Sequence, residues 1–313
     1  MTWMRPSVAA RVPVGAVVQR ISQRGVHAMA RAVPSRTRWA WPVGGTVLAL
    51  ALGAAVAMRP PLALDAPRTV HPPALDVHED GLVYDKASHM GLPAYITPDS
   101  HTVNRSGARL RLVGLGVRTV TFLRMKVYVA ALYVDEAALQ RLPRAPAGAP
   151  LDLEACVAHL LESGATCAVR VLPVRSTDFA HLRDGLVRSI HARAKEARTG
   201  AGREALDADA DAALTKSVLA FKAAFPRGSV ARGRPLDLVV QRVDRTPHYA
   251  LSLQVDGREI GTLTSGSAAP TAAAPARPTF TLPVGLLLAY VSERSNISPA
   301  LRASVYETLA EAR

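Results

Sequence analysis

GLGVRTVTFLRMKVYVAALYVD, residues 114–135, is the densest β signal in the chain: Val117, Val120, Phe122, Val127, Tyr128, Val129, Leu132, Tyr133 and Val134 are β-branched, aromatic or aliphatic. Such a segment buries at least one face. Set inside it, after Gly114 and Gly116, is the cation Arg118. An arginine in an apolar strand either reaches water from the strand end or meets an anion or several acceptors. The first reading makes Arg118 a surface residue, and the second makes it part of a ligand pocket.

Outward from this stretch, residues 110–115, 118–122 and 125–134 read as consecutive strands, followed by a short helix and a Pro/Ala loop at 142–150. A helix over 151–163 and a strand over 167–174 come next. Ser176-Thr177-Asp178 supplies a hydroxyl N-cap and a first-turn acid for a helix whose Phe179, Leu182, Leu186 and Ile190 form a core stripe. Another side of that helix carries His181, Asp184, Arg188, His191 and Lys195, and Gly185 leaves a notch one turn beyond His181. A second helix has Leu214, Val218, Phe221 and Phe225 as its stripe. Strands over 236–243 and 249–253 lead to an Asp256-Gly257 hairpin turn, the return strand 260–264 and an Ala/Pro/Ser loop at 265–278. Helices over 283–294 and 298–312 close the chain, with Pro299 in a first-turn position. The order predicts an α+β fold, an antiparallel sheet with helices on one face.

The chain has 313 residues and a formal net charge of +13. Residues 1–39 hold seven arginines and no lysine or acid, which leaves 31 basic against 25 acidic residues in the remainder. The charge excess is therefore half a leader property, and no nucleic-acid-binding signature accompanies it. The leader matches a mitochondrial transit peptide, with Val8, Val12, Val17 and Ile21 close to helical spacing between arginines. Residues 40–58 carry no charge and as a helix would cover about 28 Å, enough to span a membrane. Trp39, Trp41 and Arg59 are its interfacial anchors. Arginines before the span and acids after it place the N-terminus in the matrix and the bulk of the chain in the intermembrane space, as a single-pass protein of the mitochondrial inner membrane. Residues 59–88, rich in proline, read as a spacer, and residues 89–313 as one domain. Cys156 and Cys167 lack metal-ligand spacing and read as buried thiols; a bridge between them requires the helix and the next strand to bring them together.

Several of these segments resemble the chalcone isomerase family. They are the Gly- and Arg-bearing strand leading into KVY (126–128), FPRGSV (225–230), LQVDGREIGTL (253–263) and ISPALRASVYETL (297–309), in that order. With the leader, the span and STDFAHLRDGLVRS (176–189), the chain looks most like the fungal mitochondrial branch, the altered inheritance of mitochondria proteins. The resemblance implies an open sandwich and a pocket between sheet and helices. The family's enzymes hold their substrate with an arginine, a threonine, a tyrosine, an asparagine and a Thr/Ser. The arginine corresponds to Arg118. The others fall on Tyr128, on Phe179, near Gly185 or Leu186, and on or near Tyr290, so one of five is kept and chalcone cyclisation is not expected. The resemblance implies instead a hydrophobic small-molecule ligand. Resemblance to the fungal branch implies haem b, with Arg118 or a neighbour for a propionate and His181, beside Gly185, as axial candidate; other non-catalytic members bind a fatty acid. For His181 the competing reading is a helix-start histidine bonded to a carbonyl or water. No Cys-x-x-Cys-His is present, which excludes covalent haem attachment. The ligand-binding set is thus Arg118, Tyr128, Phe179, His181, Gly185 and Tyr290. Two further function classes stay open: an isomerase or intramolecular lyase using Arg118, Tyr128 and Tyr290, and an assembly factor docking through its Pro/Ala loops.

Overall fold

The computed structural model describes residues 75–100, 102–120, 125–143, 150–243, 246–265 and 277–311. The expected leader, membrane span and residues 59–74 of the spacer lie outside them, as do most of both Pro/Ala loops. Among the described residues no helix is long and apolar enough to cross a membrane.

The chain begins with short strands β1 (Leu82–Tyr84), β2 (Gly91–Pro93) and β3 (Tyr95–Ile96), followed by the long β4 (Leu110–Val120) and β5 (Met125–Asp135). Helices α1 (Glu136–Gln140) and α2 (Leu153–Glu162), strands β6 (Cys167–Pro173) and β7 (Thr177–Asp178), and helices α3 (Phe179–Arg198) and α4 (Ala208–Ala224) come next. Strands β8 (Ser229–Val230), β9 (Leu236–Arg242), β10 (Tyr249–Val255) and β11 (Arg258–Thr264) precede α5 (Leu282–Leu288) and α6 (Pro299–Glu311). Seven strands form one antiparallel sheet in the order β11-β10-β9-β6-β5-β4-β3. The expected α+β class is the observed one.

Strand β5 explains its own sequence. Tyr128, Ala130, Leu132 and Val134 join the core beneath the helices, while Val129, Ala131 and Tyr133 join a second core on the opposite face. Burial on both faces is why the segment is a continuous apolar run instead of an alternating one. The second core corrects the expected start of the domain. Residues 75–88 are not spacer: β1 pairs with β2, Val83 is buried, and the Tyr133 hydroxyl donates to the Pro93 carbonyl at 2.8 Å.

Three further boundaries differ from expectation. The glycines do not separate two strands at 110–115 and 118–122; β4 runs through them, with register shifts against β5 at Leu112/Gly114 and Arg118/Thr119. Helix α3 is capped not by a hydroxyl of Ser176 or Thr177 but by Asp178, expected in the first turn, whose carboxylate accepts from the Ala180 N–H at 2.7 Å, while Thr177 and Asp178 pair with β8. The helix expected over 283–294 ends at Leu288. Beyond it the chain reverses through Ser295, held in the left-handed region, with the Asn296 amide donating to the Ser292 carbonyl at 2.6 Å. The Asp256-Gly257 turn is as expected, both residues having positive φ (52° and 74°), the requirement of a type I′ hairpin. Cys156 and Cys167 are both buried and in no disulfide; burial pushes the Cys167 thiol far up and keeps it protonated.

Candidate functional site

In the antiparallel register of β4 and β5, Arg118 lies directly opposite Tyr128. Cross-strand partners share a sheet face, and Tyr128 belongs to the helix-side core, so both point toward the helices. The Arg118 guanidinium, half-buried, donates from Nη1 to the Tyr128 hydroxyl at 2.8 Å. The Tyr128 hydroxyl in turn lies 3.4 Å from that of Tyr290, which follows α5 and has no exposed surface. Burial, reinforced by Tyr128, holds the Tyr290 phenol well above its ordinary range, so it stays protonated and acts as a neutral hydroxyl. Burial also works against the charge on Arg118, but the phenol oxygens of Tyr128 and Tyr290 more than offset it.

Above this row a cleft of about 330 Å³ opens between the sheet and α3. Its apolar wall is Val120, Val127 and Leu182, and its polar wall includes Arg118, Tyr128, Arg175, Thr177, His181, Asp184 and Arg188. The start of α3 is placed by the Asp178 cap, by the β7–β8 pair and by the Phe179 N–H, which donates to the Gly228 carbonyl at 3.0 Å. From that start His181, Gly185 and Arg188 follow at four- and three-residue steps and fall on one helical face. Asp184 is shared among several cations: it accepts from Arg183 Nε at 2.9 Å, and that bond, with the nearby charges of Lys222 and Arg188, holds its carboxyl below the usual range. The cleft therefore combines an apolar wall with an excess of cations.

The structure brings together Arg118, Tyr128, His181 and Gly185 on the cleft and sets Tyr290 directly behind Tyr128. Phe179 does not join them; it is buried in the core under α3. His181 is exposed at the rim. Arg175 and Arg188 line the cleft although sequence reasoning did not include them in the site. For Arg188 a signal existed, its helical spacing from Gly185 and His181; for Arg175, in the link before β7, there was none.

A model of the family described as "Chalcone isomerase like" matches residues 108–149 and 147–306. Relatives include the mitochondrial protein named altered inheritance of mitochondria protein 18. The Debaryomyces hansenii protein is 35% identical over 106 residues, 28% of this chain and 36% of that protein. The Eremothecium gossypii protein is 38% identical over 104 residues, 26% of this chain and 34% of the relative. The match thus spans only about a third of the length of these relatives. Among solved structures, an Arabidopsis thaliana fatty-acid binding protein aligns over 74% of this chain and 98% of its own, at 17% identity and a TM-score of 0.48.

Proposed function

This chain belongs to the chalcone isomerase-like family, and we propose that it is a non-catalytic, membrane-anchored mitochondrial member that binds a hydrophobic carboxylate ligand, haem foremost, over Arg118. The observation that carries this reading is Arg118 itself. It is a half-buried cation in a cleft, hydrogen-bonded to a phenol, with no carboxylate in ion-pair range among the described residues. A charge so placed gains most from an anion entering with the ligand. Against catalysis stands the loss of donors at the positions the family's enzymes use: Phe179 has no hydroxyl, and Gly185 and Leu186 have no polar side chain. Arg118, Tyr128 and Tyr290 alone do not restore that set.

The residues suit haem b. Val120, Val127 and Leu182 offer an apolar wall, the arginines offer partners for propionates, and His181 offers an imidazole beside the notch of Gly185. Were haem bound, His181 would be the residue to hold its iron and Arg118 a residue to hold a propionate, and the group would supply redox-active iron. The cleft is at the lower end of the ~300–1,000 Å³ usual for ligand sites, so it suits the acidic edge of a large ligand. A fatty acid would use the same arginine and wall without His181. Titration of the protein with haemin is expected to give a saturable Soret shift that Arg118→Ala weakens by at least about tenfold. His181→Ala should alter the spectrum more than the affinity. Colourless protein after reconstitution would exclude haem; palmitate binding that depends on Arg118 but not on His181 would leave the fatty acid.

The proposed anchor is the uncharged segment 40–58, with the domain in the intermembrane space. In isolated mitochondria the protein should resist alkaline carbonate extraction, and a chain lacking 40–58 should be released. Release of the complete chain would refute the anchor.

A further inference from the structure

The cleft holds more positive charge than one carboxylate answers. Arg118, Arg175 and Arg188 all line it, and none of them forms an ion pair among the described residues. The one acid among the cleft's lining residues, Asp184, pairs with Arg183 and also feels the charges of Lys222 and Arg188, so a single shared carboxylate faces three cleft arginines. Gly185 shows how two of these cations converge. The Cβ it lacks would sit 3.9 Å from Arg118 Nη1 and 3.9 Å from Arg188 Nη2, so the two guanidinium groups flank the bare backbone from opposite elements, no farther apart than twice that distance. Any larger side chain would project into the space between them. Arg118 is half-buried and Arg188 exposed, so the repulsion between the two guanidinium groups is softened by water, and an anion lying between them turns it into attraction toward both. A monocarboxylate paired with Arg118 leaves the surplus in place.

We infer that the ligand carries at least two negative charges at its polar end, and that Arg188 and Arg175 are the residues that select it over monocarboxylates; this rests on the cleft reading proposed above. The shared chemistry is an apolar body with a dianionic head. Two carboxylates on a macrocycle satisfy it, as does a phosphomonoester on an acyl chain. Gly185 contributes by leaving room for the head between β4 and α3, and Tyr128 by orienting Arg118 from the strand side.

The experiment is calorimetric titration of the full-length protein and its variants with three probes: haemin, an oleoyl lysophosphatidate and palmitate. Arg188→Gln and Arg175→Gln are each expected to weaken haemin or lysophosphatidate about five- to tenfold, and palmitate less than about twofold. The dianionic probes should also lose affinity more steeply than palmitate as salt is raised. Arginine-dependent binding of haemin alone assigns the dicarboxylate, and of lysophosphatidate alone the phosphomonoester. Equal effects of Arg188→Gln and Arg175→Gln on all three probes, or tighter binding of palmitate than of either dianion, overturn the inference. Arg118→Gln separates the two claims: it should weaken every probe, and if it weakens none, the cleft reading itself falls. Arg188 is exposed, so its variant keeps the fold, and an unchanged melting temperature verifies that.

Discussion

Gly116→Val is expected to destabilise the protein by more than about 3 kcal/mol, a large share of the ~5–15 kcal/mol that holds an ordinary domain together. The reason is the closeness of α6 to β4. A Cβ at Gly116 would lie 2.3 Å from the backbone nitrogen of Leu301 and 2.4 Å from the carbonyl carbon of Ala300; one at Gly114 would lie 2.7 Å from the nitrogen of Val305. These obstacles are backbone atoms, so no rotamer change relieves them. The helix must lift, which breaks the Leu115 N–H bond to the Ser304 hydroxyl and uncovers Leu301, Val305 and Leu309, all buried in the main core. Overpacking alone costs about 1–3 kcal/mol, and each uncovered aliphatic side chain adds about 1.5–3 kcal/mol. Urea denaturation measures the loss. Gly202→Ala is the comparison, because its Cβ would meet ordinary contacts no closer than 3.8 Å and should change stability by less than about 0.5 kcal/mol. A Gly116→Val protein with the wild-type midpoint would mean that α6 does not lie on β4 as described.

The same glycines mark where sequence reading ran out. Gly114 and Gly116 read as punctuation between strands, since a glycine that breaks a strand and one that admits a neighbouring backbone look alike in sequence. What distinguishes them is α6, which lies more than 180 residues away in the chain. Local patterns fared better. The run of β5, the Asp256-Gly257 turn, and the stripes on α3 and α4 were legible because each rests on spacing between near neighbours. The hairpin of β1 and β2 was not, because its few apolar residues acquire a purpose only against the outer face of the sheet. In the cleft, Arg118 and Tyr128 were legible through the family pattern. Arg175 was not, and Arg188 showed only as a helical spacing from His181 and Gly185, since an arginine beside or on a helix is by default a solvated one; both stay exposed, and only the fold makes them line one cavity.

Arg193→Met should cost about 3–5 kcal/mol at pH 7, by leaving a buried carboxylate without its cation. The stripe read along α3 as Phe179, Leu182, Leu186 and Ile190 continues at the next step with Arg193, which is only 3% exposed. Its Nη2 donates at 2.7 Å to Glu154 on α2 and at 2.7 Å to Glu204 in the link before α4, so one guanidinium joins three parts of the helical layer. Burial holds the Glu204 carboxyl above its ordinary range even against the pull of Arg193. The sign of the pH dependence follows. A carboxyl raised in the folded state favours folding fully below its unfolded value of about 4.3, and that contribution is lost as pH rises through the folded value. Removing Arg193 takes away the main group pulling Glu204 down, so the folded value climbs further and the penalty for ionisation grows. The deficit of Arg193→Met should therefore be small near pH 4 and increase toward neutrality. The double variant Arg193→Met/Glu204→Leu, which replaces the pair with apolar groups, should recover more than half of the loss at pH 7, because a buried ion pair is worth little over a well-packed apolar substitute. Denaturation curves at several pH values decide the matter. A deficit that is flat with pH, or that the double variant does not relieve, would show that Arg193 acts by filling space and not by its charge.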